Sequence, residues 1–340
     1  MKGRQIVLDH FQGLETAALM MDGKLDDLII DQPDAPRPGA IYRAICDRPL
    51  KGQGGMIMRL PEGETAFLRA AKGLRPGLPV LVQVTGYAED GKAVPVTDRL
   101  LFKSRYVIVT PGRPGINISR QLRDDDRRDH LRKLVRLETE VGAGIILRSS
   151  CGIASDEDII TDLHEMLDLS TAVLRDAQGD APEALTEGDG PHLMAWREWT
   201  ERAEVITHDG SFEQLGVLDQ IEQLRSPLVA LNPGTLCVEA TRAVIAIDVN
   251  SGPDTSPGAA LKANIAAARA LPRALRLRGL GGQIVVDFVS ISKAHRKQVE
   301  QALRIAFKSD PVETSLVGWT SMGLFELQRK KERNRLRLKP

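Results

Sequence analysis

Two short apolar runs, Ala243–Val249 and Gln283–Val289, each carry a single aspartate, Asp248 and Asp287. Continuous apolar stretches this short, bounded by turn residues, fit strands inside a sheet. A carboxylate in such a strand is costly to bury unless it is paired or bound to a cation. Carboxylates converging from neighbouring strands make a hard oxygen site suited to Mg²⁺. Such an ion stabilises phosphoryl charge and activates water. Asn250 lies two residues beyond Asp248, on the same face if the strand continues, where it can orient a carboxylate or touch a phosphate. Either aspartate alone also fits a plain turn or helix cap before glycine.

The surrounding segments read as α/β. Ala203–Thr207 and Thr235–Glu239 are strand-like, while Ser211–Gln223, Pro257–Arg278 and His295–Phe307 are helical in period. The N-terminal stretch reads as a strand at Gln5–Leu8 and a hairpin turning at Asp22-Gly23. Pro33, Pro36, Pro38 and Gly39 then break the chain. Between 40 and 105, Ile41–Cys46, Met56–Leu60, Ala66–Leu68, Val80–Val84 and Ala93–Thr97 form five strand-like pieces between Gly/Pro-rich turns, including one at 52–55. That spacing fits an OB-type barrel and a small β sandwich equally. From Tyr106 onward come a strand at Tyr106–Val109, a helix at Leu122–Glu138, a strand at Gly144–Arg148 and a helix at Ser155–Leu174 that Ser155 can cap. Residues 111–115 and 178–192 read as loops.

Composition narrows the class. The 340 residues suggest two or three domains at roughly 100–200 residues each. Lys plus Arg and Asp plus Glu number 46 each, which excludes a histone-like binder but not a local basic face. Three cysteines, far apart and without a CxxC pair, predict neither disulfides nor a zinc site and suit a reducing cytosol. No stretch approaches the roughly 20 apolar residues of a membrane span, and the start lacks the apolar core of a signal peptide. The expectation is a cytoplasmic protein with no membrane partner.

The motifs AIDVNSG (246–252) and LRLRGLGGQIVVDF (275–288) resemble the signature of the ribonuclease E/G family. DGKLDDLIID with GAIYRA, NISRQLRDDDRRDHLRKL, GAGIILRSS and SMGLFELQRKKERNRL extend the resemblance nearly end to end. It implies a composite α/β fold. An RNase H-like part (1–38 and 176–225) would hold an inserted S1 (OB-fold) β-barrel (39–105) and a 5′-sensor region (106–175). A DNase I-like catalytic subdomain would span 226–340.

The implied activity is endonucleolytic cleavage of single-stranded RNA with Mg²⁺, or Mn²⁺ in its place, in RNA processing or decay. Asp248 and Asp287 match the family's metal-binding aspartates and Asn250 its catalytic asparagine. Phe67 and Lys92 match RNA contacts of the S1 domain. Arg148 and Ser149 match an Arg-Thr pair that grips a 5′-monophosphate, with Thr replaced by Ser. Ser104 and Ile108 fall where the rest of that pocket lies. Each has a plainer alternative: Phe67 as barrel core, Lys92 as a solvated turn residue, Arg148 as the partner of an acid. The basic tail Arg329–Lys339 likewise fits a solvated helix face.

Several departures stand out. The chain reaches Pro340 without the CPxC zinc-link motif, so the expectation is no zinc and a monomer or dimer in place of a zinc-linked tetramer. Residues 164–210 are shorter than is typical. Thr241-Arg242-Ala243-Val244 puts a cation where an acid is usual, Ser290 replaces a later aspartate, and Asn264–Ala268 reads NIAAA. These changes motivate an alternative, a catalytically weak or inactive RNA-binding scaffold.

Overall fold

Two tight turns organise the first strands. Gln12-Gly13 and Asp22-Gly23 all have positive φ, as two-residue hairpin turns require. They join β1 (Arg4–Phe11), β2 (Leu14–Met21) and β3 (Lys24–Ile30) into an antiparallel meander. Asp-Gly announces the second turn, whereas Gln-Gly carries no such signal, so the first hairpin is not legible from sequence. The computed structural model describes residues 3–338 except 51, 53, 89, 90, 140–143, 255 and 337. Gln53 of the turn read at 52–55, and Arg337 and Lys339 of the basic tail, lie outside the described residues. The chain divides into two units, one of residues 1–30 and 203–340, the other of residues 31–202.

Within the second unit, β4 (Ile41–Leu50), β5 (Gly55–Arg59), β6 (Thr65–Leu68), β7 (Pro79–Val84) and β8 (Val94–Thr97) close into a barrel in the order β4-β5-β6-β8-β7 and back to β4. β4 makes closure work. Its first half pairs with β7 through Ile41–Ile45, and its second half with β5 through Leu50. One long strand thereby serves both edges, which distinguishes a closed five-strand barrel of S1/OB type from a sandwich. Alternate residues such as Ala44, Met58, Leu68 and Val82 fill the interior.

The same unit continues with β9 (Phe102–Lys103), β10 (Val107–Val109), β11 (Gly115–Ile118), α1 (Asp125–Glu138), β12 (Gly144–Leu147) and α2 (Asp156–Arg175). The strands form a sheet ordered β11-β12-β10-β9. Leu131 and Val135 of α1 and Ile159 and Leu163 of α2 pack on Val107, Ile145 and Leu147. α1 starts later than its period suggests because the Asp124 carboxylate accepts the Arg127 N–H and caps it. Ser155 caps α2 as predicted. The predicted loop 178–192 contains β13 (Glu183–Thr186), which adds to β4 and leads into α3 (Pro191–Glu198). Buried Arg43 anchors that strand through the Asp176 and Ala181 carbonyls and Glu183.

In the other unit, β14 (Glu204–Ile206) pairs parallel with β1, followed by α4 (Ser211–Gln214) and α5 (Val217–Gln223). Gly216, at φ +66°, splits the single helix predicted there. β15 (Leu228–Ala230), β16 (Thr235–Ala240), β17 (Ile245–Asn250), α6 (Pro257–Leu277), β18 (Gly282–Asp287), α7 (Lys293–Lys308), β19 (Thr314–Trp319) and β20 (Phe325–Arg329) complete it. The sheet runs β15-β16-β17-β18-β20-β19, with β17 and β18 parallel across α6. Ile247, Val249, Ile284, Val286, Phe325 and Leu327 face Leu271 and Leu275 of α6 and Val299 and Leu303 of α7. No helix among the described residues is long and apolar enough to cross a membrane.

Candidate functional site

Asp248 and Asp287 are direct register partners on the parallel strands β17 and β18. Neighbouring strands lie about 4.8 Å apart, so the two carboxylates leave the sheet side by side. Alternation decides the face: Ile247, Val249 and Val286 point into the core, whereas Asp248, Asn250 and Asp287 are exposed on the opposite face. Thr235, Cys237 and Gln283 belong to the same face. Among the described residues no group of three or more His, Cys, Asp or Glu could hold a metal ion, so any ion here would rest on the pair. Two carboxylates suit Mg²⁺, which binds through one or two carboxylates and keeps several waters.

Local geometry settles what Asn250 can offer. Its Oδ1 accepts the Gly252 N–H at 3.0 Å, an Asx turn that leaves the NH₂ as the outward donor. Gly234, at φ +91°, lies against this strand end, where a Cβ would stand 2.1 Å from the Asn250 carbonyl oxygen. Asn264 of α6, fully buried, does the same service for the other aspartate. It donates to the Val289 carbonyl at 2.8 Å and accepts the Val289 N–H at 3.0 Å, two residues past Asp287. Replacing it leaves both Val289 groups without partners. Asn264→Ala therefore lowers the unfolding free energy by about 1–3 kcal/mol, read from urea melts. Arg242 lies in the β16–β17 turn, on the order of 20 Å of strand away from Asp248. That substitution leaves the surroundings of the acids untouched.

On the barrel, Phe67 is half-buried and points outward, while its neighbours Ala66 and Leu68 point in. Its ring covers Gly55, where a Cβ would come within 2.3 Å of it. Lys92 is exposed and precedes β8, whose Pro95 pairs with Phe67. Exposed Arg69, Lys72 and Arg75 follow Phe67 in the chain. Nothing in the sequence marks them, because scattered surface cations carry no pattern of their own.

Ser104, Ile108, Arg148 and Ser149 fall on one region of the β11-β12-β10-β9 sheet. Ile108, half-buried, pairs with Ile146 and Lys103, and Arg148 extends the β12 face two residues beyond Ile146. Ser149 is exposed. Ser104 is buried, with its hydroxyl on the Asp162 carboxylate, which also accepts the Tyr106 and Val107 N–H groups. Ser104 meets Arg148 through its carbonyl, which accepts Nη1 at 2.6 Å. Arg148 has an acidic partner, because Nη2 donates to Glu198 Oε2 at 2.7 Å. Glu198 Oε1 accepts Lys103 Nζ at 2.7 Å and Arg197 Nε at 2.8 Å. Burial alone would raise the Glu198 pKa; Lys103, Arg148 and Arg197 outweigh it and bring it down to about 2. Lys103 is pushed down, chiefly by burial and further by Arg148 and Arg197. No local motif marks Glu198, which arrives from α3 fifty residues after Arg148.

Comparison with known proteins places these residues in context. The sequence profile of the ribonuclease E/G family matches residues 102–211 and 192–332. Ribonuclease G of Salmonella typhimurium is 26% identical over 385 residues, covering 94% of this chain and 78% of the relative. Ribonuclease G of Escherichia coli K12 is 25% identical over 386 residues with the same coverage. Ribonuclease E of Nostoc sp. is 29% identical over 375 residues, and the chain spans 54% of its length.

Proposed function

Because the chain belongs to the ribonuclease E/G family, we propose that it is an endoribonuclease that cuts single-stranded RNA, with Mg²⁺ held by Asp248 and Asp287. The observation that carries this reading is the register pairing of the two exposed carboxylates on adjacent parallel strands. A bound Mg²⁺ supplies Lewis-acid stabilisation of phosphoryl charge and activation of water, and Mn²⁺ can take its place. The two aspartates would hold the ion at the ends of β17 and β18. The Asn250 NH₂, held outward by the Gly252 turn, donates to a phosphate oxygen. Gly234 and Asn264 keep the strand ends in register and act as positioning residues.

The S1-like barrel binds the strand to be cut. Phe67 stacks a base, and Lys92 with its neighbouring cations follows the backbone. Phe67→Ala weakens single-stranded RNA binding by about 1–3 kcal/mol, raising KM with little effect on kcat. Fluorescence anisotropy at fixed salt checks this, since phosphate contacts also fade as salt rises. A 5′-monophosphate is read near Arg148 and Ser149, with Ser104 and Ile108 shaping the pocket. We assign the RNase H-like part to the β14-β1-β2-β3 sheet and the DNase I-like part to the β15-β16-β17-β18-β20-β19 sheet.

Circular single-stranded RNA, which has no ends, tests the central claim. Linearisation that requires Mg²⁺ and stops with EDTA supports internal cleavage. Intact circles together with intact linear 5′-monophosphate RNA, under conditions where both are bound, would favour the scaffold reading.

A further inference from the structure

The Glu198 carboxylate has more positive charge around it than an ion pair needs. Lys103, Arg148 and Arg197 all donate to it, and among the described residues only Arg197 has a second acid, Asp189. Arg105 stacks close by on Trp196, its guanidinium 5.1 Å from the ring centre. The three donors come from different places: the end of β9, the residue after β12 and the last turn of α3. They converge from several sides, as a cradle for a multivalent anion does. A carboxylate brings one charge and two oxygens. A phosphomonoester brings nearly two charges and three terminal oxygens, and so matches this donor set better. The exposed Ser149 hydroxyl follows Arg148 directly. The cradle is open to solvent, since the Lys103 and Glu198 side chains keep 36% and 27% of their exposure. Buried Trp199, whose N–H closes on the Ala195 carbonyl, pins the end of α3, so Glu198 can swing out by its own rotamers without moving the helix.

We propose that Lys103, Arg148 and Arg197 form a phosphate subsite that Glu198 occupies from within, so that Glu198 determines how strongly a 5′-terminal phosphate is read. The part concerning RNA ends rests on the 5′-end reading of the Arg148 region; the subsite itself does not. Glu198 competes with any incoming phosphate, so the wild type prefers 5′-monophosphate over 5′-hydroxyl RNA less than an open cradle would. Neutralising it exposes the cradle.

The test uses the full chain and two probes, inorganic phosphate by calorimetry and a matched RNA pair with 5′-phosphate or 5′-hydroxyl ends. Glu198→Gln is expected to bind inorganic phosphate about tenfold or more tightly than wild type, with a similar rise in the 5′-phosphate to 5′-hydroxyl cleavage ratio. Adding Arg148→Gln removes the gain. Glu198→Asp, which keeps the charge and shortens the reach, falls between and serves if the glutamine variant does not fold. Wild type binding phosphate as tightly as Glu198→Gln overturns the proposal, as does a folded Glu198→Gln that gains nothing. A gain in phosphate affinity with no change in the cleavage ratio supports the subsite and overturns only the 5′-end reading.

Discussion

Asp248→Asn lowers the single-turnover rate of RNA cleavage by about 10³-fold or more while leaving RNA affinity within about twofold. The size follows from what the substitution removes. Asp248 and Asp287 are the facing pair of one parallel ladder, and no third His, Cys, Asp or Glu among the described residues can join them. Half of the anionic charge that would hold Mg²⁺ is lost with one carboxylate. An asparagine keeps the shape and the exposed position, so the strand and the remote RNA contacts persist. Excess Mn²⁺ is expected to restore little. The measurement is cleavage of a short single-stranded RNA, with and without Mg²⁺, alongside anisotropy on the same RNA. Cleavage by the variant at the wild-type rate would sink the assignment. Tight binding with no Mg²⁺-dependent cleavage by the wild type would instead favour the scaffold.

The largest loss of stability is expected at Asp310. Its side chain is fully buried and accepts Arg276 Nη1 at 2.6 Å and Arg329 Nη2 at 3.0 Å. It also accepts the Val312 N–H at 2.8 Å. Arg329, 1% exposed on β20, is the most deeply buried cation among the described residues. Arg276 reaches on to Asp26 of β3 at 2.9 Å, so α6, β20 and β3 share one network. Asp310→Ala removes the acid facing buried Arg329 and one of those facing Arg276, and lowers unfolding free energy by about 3–5 kcal/mol. Asp310→Asn, which can still accept, costs about half as much. Urea melts with an unchanged m value check both. A loss below about 1 kcal/mol for the alanine variant would show that water reaches these arginines. β20 pairs with β18, so the unit that loosens is the one carrying Asp287.

What was readable in advance followed from local chemistry. The acids in their apolar runs, the Asp22-Gly23 turn and the Ser155 cap each announce themselves within a few residues. The β19–β20 hairpin did not, because Arg329 occupies an inward position and breaks the apolar alternation that marks a strand. Its place is intelligible only beside Asp310. The strand inside the predicted 178–192 loop was hidden likewise, since Glu183–Thr186 is held by Arg43, from a distant part of the chain.

The sequence by itself determined that Asp248 and Asp287 lie in strands of an α/β region, that five short strands precede a mixed strand–helix segment, and which family the chain resembles. These depend on side-chain period, turn residues and motif spacing, all of which are local. Only the tertiary structure decided that the two aspartates are exact register partners on the open face, that β4 closes the barrel by pairing twice, and that Glu198 meets Arg148 and Lys103. Those outcomes depend on which distant backbone edges and charges come together, and burial, not sequence proximity, selects them.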